Sequence, residues 1–371
     1  MEIALFSTGT KTIIGVKKEN GDVNHLIIDS LLIFQDPKLV VERLMLSLKY
    51  HFDIQDPSKI TKMCFGLSGI MNDTTGQITK SYNLDKITLA KNYSGFSFKK
   101  NFGKFVGEQN VYLFNDAQAV GLGIREINKA YNAAAIFLID YGVGISLVDE
   151  KGFVHETELG LLFMPKELIS PTFVISGDAI NELLYKESKD VFKAYTEKLI
   201  STVLFFHKNP NSFIKKASKI ISGLVVALGS NSKIKDTVAL MSKNVNISKV
   251  YVWSVFEEFI DKKLINSAGL GEIIQFPKDQ NEKYLIPILG CFAFPKQWEI
   301  QNRKIEKIEY ISNGKVVYQF DKYEQFENHW NENHSFANPD NEYLIHFSDG
   351  FFKTRRMEDV NKKSDLEEFR F

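Results

Sequence analysis

An Asn-Asp pair at positions 115 and 116 has the side chains and the setting to act on a substrate hydroxyl. It follows an apolar run, 111–114, and precedes small and apolar residues at helical spacing. The run predicts a buried strand, and Asn or Asp before a periodic segment predicts a helix N-cap. A carboxylate at such a corner can accept a hydroxyl proton. Asp116 is therefore a candidate general base, and the alternative is that the pair only caps the helix.

Two glycine-containing turns could hold anionic oxygens. The first is Thr8-Gly9-Thr10-Lys11 and the second is Tyr141-Gly142-Val143-Gly144, each after an apolar strand pattern. Backbone N–H groups at such turns suit phosphate oxygens, although a single G-x-G turn is more often structural. Asp140 precedes the second turn, where it could cap the turn.

The segments that must position these residues predict mixed strands and helices. Strands are predicted at 3–7, 12–17, 23–28, 62–66, 111–114, 133–140, 145–148, 153–155 and 249–253. Helices are predicted at 39–52, 98–107, after Asp116, 178–186, 190–207, 213–228 and 232–243. A helix over 284–294 would need Pro287 in its first turn, because proline has no amide hydrogen. Hairpin signals such as Ser312-Asn313-Gly314 predict a β-rich tail.

Composition excludes several classes of protein. The 371 residues carry 46 Lys+Arg and 46 Asp+Glu, so no overall charge favours nucleic acid or an anionic membrane. Cys64 and Cys291 lie in apolar runs, which predicts two buried thiols rather than a disulfide. The sequence predicts no secretion signal and no membrane-spanning run. We expect a cytoplasmic protein with no nucleic-acid partner and no membrane partner.

Taken in order, residues 2–296 resemble sugar kinases of the actin-like ATPase superfamily, closest to bacterial glucokinases and the ROK (repressor, open reading frame, kinase) family. The segments that carry the resemblance are Thr8-Gly9-Thr10-Lys11 (D-x-G-G-T-K), Gly66-Leu67-Ser68-Gly69 (G-x-P-G), Asn115-Asp116-Ala117 (N-D-A), Tyr141-Gly142-Val143-Gly144 (G-T-G-x-G), Glu158-Leu159-Gly160 (E-x-G-H) and Ile288-Leu289-Gly290-Cys291 (the closing L-G-A helix). Each match is weak alone, and their common order is what makes them specific.

The resemblance implies an α/β, two-lobed actin-like ATPase (ribonuclease H-like) fold, with a mixed five-stranded sheet and helices in each lobe. The sugar-side lobe would cover 1–130 and the nucleotide-side lobe 131–296. The tail, 297–371, would be a small β-rich C-terminal appendix.

The same resemblance implies a site for ATP-dependent phosphoryl transfer to a hexose or amino sugar. Asp116 would be the general base, and Ser68, Gly69, Asn115 and Glu158 would hold the sugar. The residues implied to hold the phosphates of ATP, with Mg²⁺, are Gly9, Thr10, Lys11, Asp140, Gly142 and Gly144.

Departures from the family pattern are concentrated in the nucleotide motifs. Phe6 replaces the Asp of the first phosphate motif, and Thr8 replaces its first Gly. Leu161 stands in place of the sugar-motif His, and the Cys-rich zinc segment is absent, so we predict no zinc site. Trp253 and Phe256 stand where a Gly-Gly is expected and would fill an adenine site.

In the family, the Asp of the first phosphate motif helps to organise Mg²⁺. Asp140 with Gly142 and Gly144 resembles the second phosphate motif of actin and the heat-shock chaperones, in which the Asp lies near the magnesium ion. One hypothesis is that Asp140 takes over the role of the Asp that Phe6 replaces.

Three functions stay open on the sequence alone. They are an active sugar kinase, a catalytically inactive pseudokinase that serves as a sugar sensor or assembly scaffold, and a nucleotide-driven switch without a sugar. Partners to consider besides the sugar are a second copy in a homodimer and a protein bound through the appendix. The tail aromatics are expected to form a small core with some exposed contact surface: Phe320, Tyr323, Phe326, Trp330, Phe336, Tyr343, Phe351 and Phe352.

Overall fold

The computed structural model describes residues 1–72, 75–80, 93, 95–128, 134–148, 152–157, 175–186, 190–208, 247–302, 305–313, 315–333, 341–347 and 352–356. The chain divides into two compact units, Met1–Pro295 and Lys296–Phe371. The sugar motif at 158–160, Leu161 and the predicted helices 213–228 and 232–243 lie outside the described residues. The segment in which the family carries its zinc ligands falls there too.

The described strands and helices are as follows in chain order. The strands are β1 (Glu2–Ser7), β2 (Lys11–Lys17), β3 (Val23–Asp29), β4 (Lys62–Leu67), β5 (Ile70–Asn72), β6 (Gln77–Lys80), β7 (Val111–Asn115), β8 (Ala134–Ile139), β9 (Val143–Val148), β10 (Val154–Thr157), β11 (Lys249–Ser254), β12 (Ile274–Gln275), β13 (Ile305–Ser312), β14 (Lys315–Phe320), β15 (Glu342–Phe347) and β16 (Phe352–Arg356). The α-helices are α1 (Ser30–Phe34), α2 (Val40–Phe52), α3 (Phe98–Val106), α4 (Asp116–Ile127), α5 (Gly177–Tyr185), α6 (Val191–Lys208), α7 (Lys262–Ser267), α8 (Gln280–Asn302) and α9 (Tyr323–Asn333).

The first unit contains two five-stranded sheets of the same design. Their strand orders are β3-β2-β1-β4-β7 and β10-β9-β8-β11-β12. Read along either strand order, the four pairings between neighbouring strands are antiparallel, antiparallel, parallel and parallel. The unit is therefore a mixed α/β structure in which one half repeats the other, as the sequence predicted.

Within the described residues, the predicted strands and helices are present with shifts at their ends. α2 begins at Val40 instead of 39, because Leu39 is the N-cap residue. The Leu39 side chain makes no capping hydrogen bond. α1 was not predicted, and it forms because the Asp29 side chain accepts a hydrogen bond from the amide of Leu31. β9 begins at Val143, inside the second glycine turn, rather than at 145.

Helix α4 packs against both sheets and meets helix α8 at unusually close range. A Cβ added at Gly123 would lie 1.8 Å from the carbonyl oxygen of Ile286, and one added at Gly290 would lie 1.7 Å from that of Ala119. Only glycine fits at both positions, because the two backbones touch. The Gly290 of the predicted closing helix thus has a packing role.

The prediction that Pro287 would lie in the first turn of its helix is wrong. Helix α8 starts at Gln280, and Asp279 caps it by accepting a hydrogen bond from the amide of Glu282. Pro287 is therefore inside the helix and leaves the carbonyl of Lys283 without its helical donor. The indole Nε1–H of Trp253 donates to that carbonyl at 2.7 Å, so the missing bond is replaced from outside the helix.

The second unit is an antiparallel sheet of order β14-β13-β15-β16 with helix α9. Its buried core consists of Ile305, Ile308, Phe320, Phe326, Trp330, Tyr343 and Ile345. Tyr323 packs against this core, so five of the predicted tail aromatics contribute to it. Phe336 and Phe351 lie outside the described residues, as does the side chain of Phe352.

Further sequence-based predictions concern thiols, metals and membranes. Cys64 and Cys291 are buried and form no disulfide, which confirms two free thiols. Within the described part of the chain, no group of three or more His, Cys, Asp or Glu could hold a metal ion. No described helix combines the length and apolarity that a bilayer crossing requires.

Candidate active site

Three loops of the first sheet begin at the same edge. Ser7, Leu67 and Asn115 are the last residues of β1, β4 and β7, and they lie side by side in register. The first glycine turn, the Ser68-Gly69 turn and the Asn115-Asp116 corner therefore follow at the carboxyl ends of parallel strands. This edge is where α/β sheets bind ligands.

Asn115 provides the helix cap that the sequence predicted at this corner. Asn115 is the N-cap of α4, and its Oδ1 accepts a hydrogen bond from the amide of Ala117 at 2.9 Å. Its Nδ2 donates to the carbonyl of Gly69 at 3.3 Å, which ties the corner to the neighbouring turn. Asp116 is the first residue of the helix, and its carboxylate is not needed as the cap.

The carboxylate of Asp116 is deeply buried, with 3% of the residue exposed. Its Oδ1 accepts a hydrogen bond from the amide of Ala117 at 2.8 Å. Burial raises the pKa of Asp116 to about 7, and the nearby Asp140 adds to the rise, while hydrogen bonds from Ala117 and Ser68 oppose it. A carboxyl group with a pKa near neutrality can both take and release a proton at working pH.

Glycines shape the walls around Asp116. Gly69 has a φ of 134°, a backbone conformation that side chains disfavour, and this lets the turn bring Ser68 to Asp116. A Cβ added at Gly144 would lie 3.0 Å from the Cβ of Ala117 and 3.6 Å from Oδ1 of Asp116. The second glycine turn therefore lies directly against the start of α4.

Backbone amides of the first glycine turn donate hydrogen bonds within the turn itself. The amide of Thr8 donates to the carbonyl of Lys11 at 3.0 Å, and the amide of Lys11 donates to the hydroxyl of Thr8 at 3.3 Å. Beneath the turn, the buried hydroxyls of Ser7, Thr12 and Ser30 bond to one another over 2.8 to 3.2 Å. The turn is thereby fixed in place, with Lys11 exposed at its edge.

Asp140 joins the two glycine turns. Its carboxylate accepts hydrogen bonds from the amide of Thr10 at 2.9 Å and from the Thr10 hydroxyl at 3.0 and 3.1 Å. Only 1% of Asp140 is exposed, and burial raises its pKa although bonds from Thr8 and Thr10 oppose this. A carboxylate of the chain itself thus occupies the space between the turns where phosphate oxygens were expected.

Two of the departures from the family pattern pack against each other. Phe6 and Trp253 are fully buried, and their rings meet edge to face with centroids 5.5 Å apart. Phe256 lies against the start of α5, where a Cβ added at Gly177 would be 2.6 Å from its ring. Phe6 and Trp253 therefore pack between β1 and β11, and Phe256 packs beside Gly177, whose amide donates to the carbonyl of Asp140 at 2.8 Å.

The residues present do not fit ATP with Mg²⁺. The amides of Thr8, Thr10 and Lys11 already donate within the protein. The Asp140 carboxylate faces N–H and O–H donors rather than an open position for a cation. Phe6 supplies no oxygen at the position where the family has an Asp. The geometry gives no support to the hypothesis that Asp140 organises magnesium.

Some residues of the site were not found from sequence. Ser7 and Thr12 face each other across the β1–β2 hairpin, so the hairpin prediction could have revealed that pair. Ser30 carried no such signal.

A buried lysine, Lys283, lies near Trp253, and its Nζ is 3.4 Å from Oε2 of Glu257. Burial lowers the pKa of this lysine, while Glu257 raises it.

The site and the fold define a mixed α/β protein with a buried acid at the end of parallel strands. No protein-family model matches the sequence, and no curated protein matches it significantly. In structure the chain is similar to a ROK family protein from Streptococcus pneumoniae TIGR4 in complex with sucrose (17% identity, TM-score 0.48, 80% of this chain and 99% of that one).

Two further structures are similar to this chain. One is a ROK family glucokinase from Streptomyces griseus in complex with glucose and AMPPNP (14% identity, TM-score 0.49, 80% of this chain and 99% of that one). The other is a putative N-acetylmannosamine kinase from Listeria monocytogenes (14% identity, TM-score 0.47, 80% and 99%). The chain is thus similar to sugar kinases of the ROK family at low identity.

Proposed function

We propose that this protein is a ROK-like pseudokinase that binds a hexose or amino sugar beside Asp116 and transfers no phosphate from ATP. The observation that carries the proposal is the Asp140 carboxylate, which accepts hydrogen bonds from the Thr10 amide and hydroxyl between the two glycine turns. The molecule would act as a sugar sensor or as a scaffold whose state depends on the sugar.

The intact part of the site supports sugar binding by the first half of the two-lobed actin-like fold. Asp116 is buried, close to Ser68 and anchored at a helix start, so its carboxylate has a fixed direction. Asn115 bonds to the carbonyl of Gly69, which holds the two loops at a fixed spacing. Preorganised acceptors of this kind bind hydroxyl groups at low entropic cost. Glu158 would complete the hydroxyl ligands.

The altered part of the site argues against nucleotide binding by the second half, 131–296. To admit a triphosphate, the protein would have to break the three hydrogen bonds between Thr10 and Asp140. It would then bring phosphate charge next to two buried carboxylates, Asp116 and Asp140, whose pKa values are already raised by burial. Like charges in a buried site repel strongly.

A second candidate function, active phosphoryl transfer to a sugar hydroxyl, is favoured by one observation. The pKa of Asp116 is raised to about 7, chiefly by burial, which suits a general base at neutral pH. In that case Asp116 would accept the proton of the attacking hydroxyl, and Ser68 would orient the carboxylate.

Calorimetric titration with glucose, mannose, galactose, glucosamine and N-acetylglucosamine tests the proposal. We expect at least one of these sugars to bind and to raise the melting temperature. Asp116→Asn should weaken that binding by about tenfold or more, since it removes a charged acceptor for a hydroxyl. Glu197→Gln, a change on the exposed face of α6, is the control and should bind like the wild type. Failure of every sugar to bind would contradict the proposal.

A further inference from the structure

A cleft lies in the first unit at the end of β2 that is distant from Asp116. It encloses about 670 Å³, which is within the range of small-molecule sites. β2 begins at the first glycine turn with Lys11 and ends at Lys17, so its two ends are about 20 Å apart at the usual rise of a strand. The cleft is therefore separate from the site around Asp116. The residues that line it are Val16, Lys18, Val23, Asn24, His25, His51, Phe52, Asp53, Asn281 and Leu285.

Three elements of regular structure hold the walls of this cleft. One wall is the β2–β3 hairpin, where Asn24 pairs with Val16. Another is helix α8, whose Asn281 and Leu285 are four residues apart and so lie on one face of the helix. The third is the end of α2, where Asp53 has a φ of 55° and ends the helix. Since these elements fold without a ligand, the cleft is preformed.

The polar side chains of the cleft supply donors and acceptors without an excess of charge. Lys18 and Asp53 carry one charge of each sign. Burial lowers the pKa of His25, so its imidazole is neutral at pH 7 and can donate through one nitrogen and accept through the other. The side-chain amides of Asn24 and Asn281 also do both. This lining favours an uncharged ligand that donates and accepts hydrogen bonds.

The polar side chains are available to such a ligand. Asn24, His25, His51 and Asn281 make no side-chain hydrogen bond or ion pair within the part of the chain that the structure describes. His25 is half-buried and the other three are exposed. A ligand in the cleft can therefore bond to them without breaking contacts inside the protein.

We propose that this cleft binds a disaccharide. Hydroxyl groups both donate and accept hydrogen bonds, which matches the mixed polar lining. The C–H face of a sugar ring can pack on Phe52 and Leu285, which are half-buried apolar side chains of the cleft. The cleft has more room than one sugar ring fills, so two rings are the expected size. This inference does not rest on the proposed sugar site beside Asp116.

Calorimetric titration of the full-length protein with maltose, sucrose, trehalose and lactose tests the proposal. At least one of these should bind once per chain. Asn281→Ala and His51→Ala each remove a hydroxyl partner and should raise the dissociation constant about fivefold or more. Both side chains are exposed, so both variants should fold. Asn328→Ala, an exposed asparagine on α9, is the matched control and should bind like the wild type.

The same titration of Asp116→Asn shows which site the disaccharide occupies. Binding in the cleft predicts that this variant binds the disaccharide with the wild-type dissociation constant, whether or not a monosaccharide binds beside Asp116. Disaccharide binding that Asp116→Asn abolishes would overturn the proposal. So would the absence of binding by all four disaccharides, or wild-type binding in both Asn281→Ala and His51→Ala.

Discussion

A buried carboxyl group is the feature that most distinguishes this site from an ordinary helix start. Asp116 could have capped α4, but Asn115 does so and leaves the acid in a dry position. Burial raises the pKa of Asp116 to about 7. Holding an ionised acid there lowers stability, and proteins accept such a cost mainly at functional sites.

Asp116→Asn should stabilise the protein at alkaline pH and change little near pH 4. The pKa of this carboxyl group is about 7 in the folded protein and ordinarily 3.8, so the folded protein holds the proton more tightly. The free energy of unfolding should fall by up to about 4 kcal/mol as pH rises from 4 to 7, and this fall is lost in the variant. Urea unfolding near pH 4 and pH 8 measures it, with Glu197→Gln as the control. An identical pH dependence in Asp116→Asn and wild type would contradict the burial argument.

The buried acid could be predicted from its neighbours in the chain. The long-range contacts of the site could not be predicted in this way. Asn115 and Asp116 lie at a strand-to-helix corner that neighbouring residues define. The Thr10–Asp140 contact joins residues 130 positions apart, and nothing in either turn shows that the carboxylate faces the other. Phe6 and Trp253 were each recognised as departures, but their contact required the fold.

At the scale of elements, helix α8 depends on a hydrogen bond from strand β11. Pro287 removes a donor inside the helix, and Trp253 of β11 supplies one to the carbonyl of Lys283. The sequence predicted a helix here but misplaced its start, since Trp253 is distant in the chain. Apolar runs did predict the central strands, because burial on both faces demands them.

Trp253→Phe should destabilise the protein less when Pro287→Ala is also present. The single change leaves the Lys283 carbonyl unsatisfied at about 1–3 kcal/mol and adds a packing loss. Pro287→Ala restores a helical N–H to that carbonyl, so the double variant should recover about 1 kcal/mol in a double-mutant cycle. Pro295→Ala is the matched control, since its amide would reach Cys291 instead. Equal cost of Trp253→Phe in all three backgrounds would contradict the replacement bond.

At the scale of the whole molecule, the first unit has two halves of one design joined at the ends of equivalent strands. The turn after β1 and the turn after β8 meet through Thr10 and Asp140. The family resemblance predicted two similar lobes and placed the start of the second at 131. What it left open was whether the space between the turns was free for phosphate.

Titration with Mg²⁺-ATP tests the central claim most directly. Purified full-length protein is titrated at millimolar nucleotide, with and without the sugar that binds best, and melting temperature and sugar phosphorylation are followed in parallel. The Asp140–Thr10 contact and the Phe6–Trp253 pair predict no heat of binding, no shift in melting temperature and no phosphorylated sugar. A rise in melting temperature with Mg²⁺-ATP, together with sugar phosphorylation that Asp116→Asn abolishes, would contradict the account and establish an active sugar kinase.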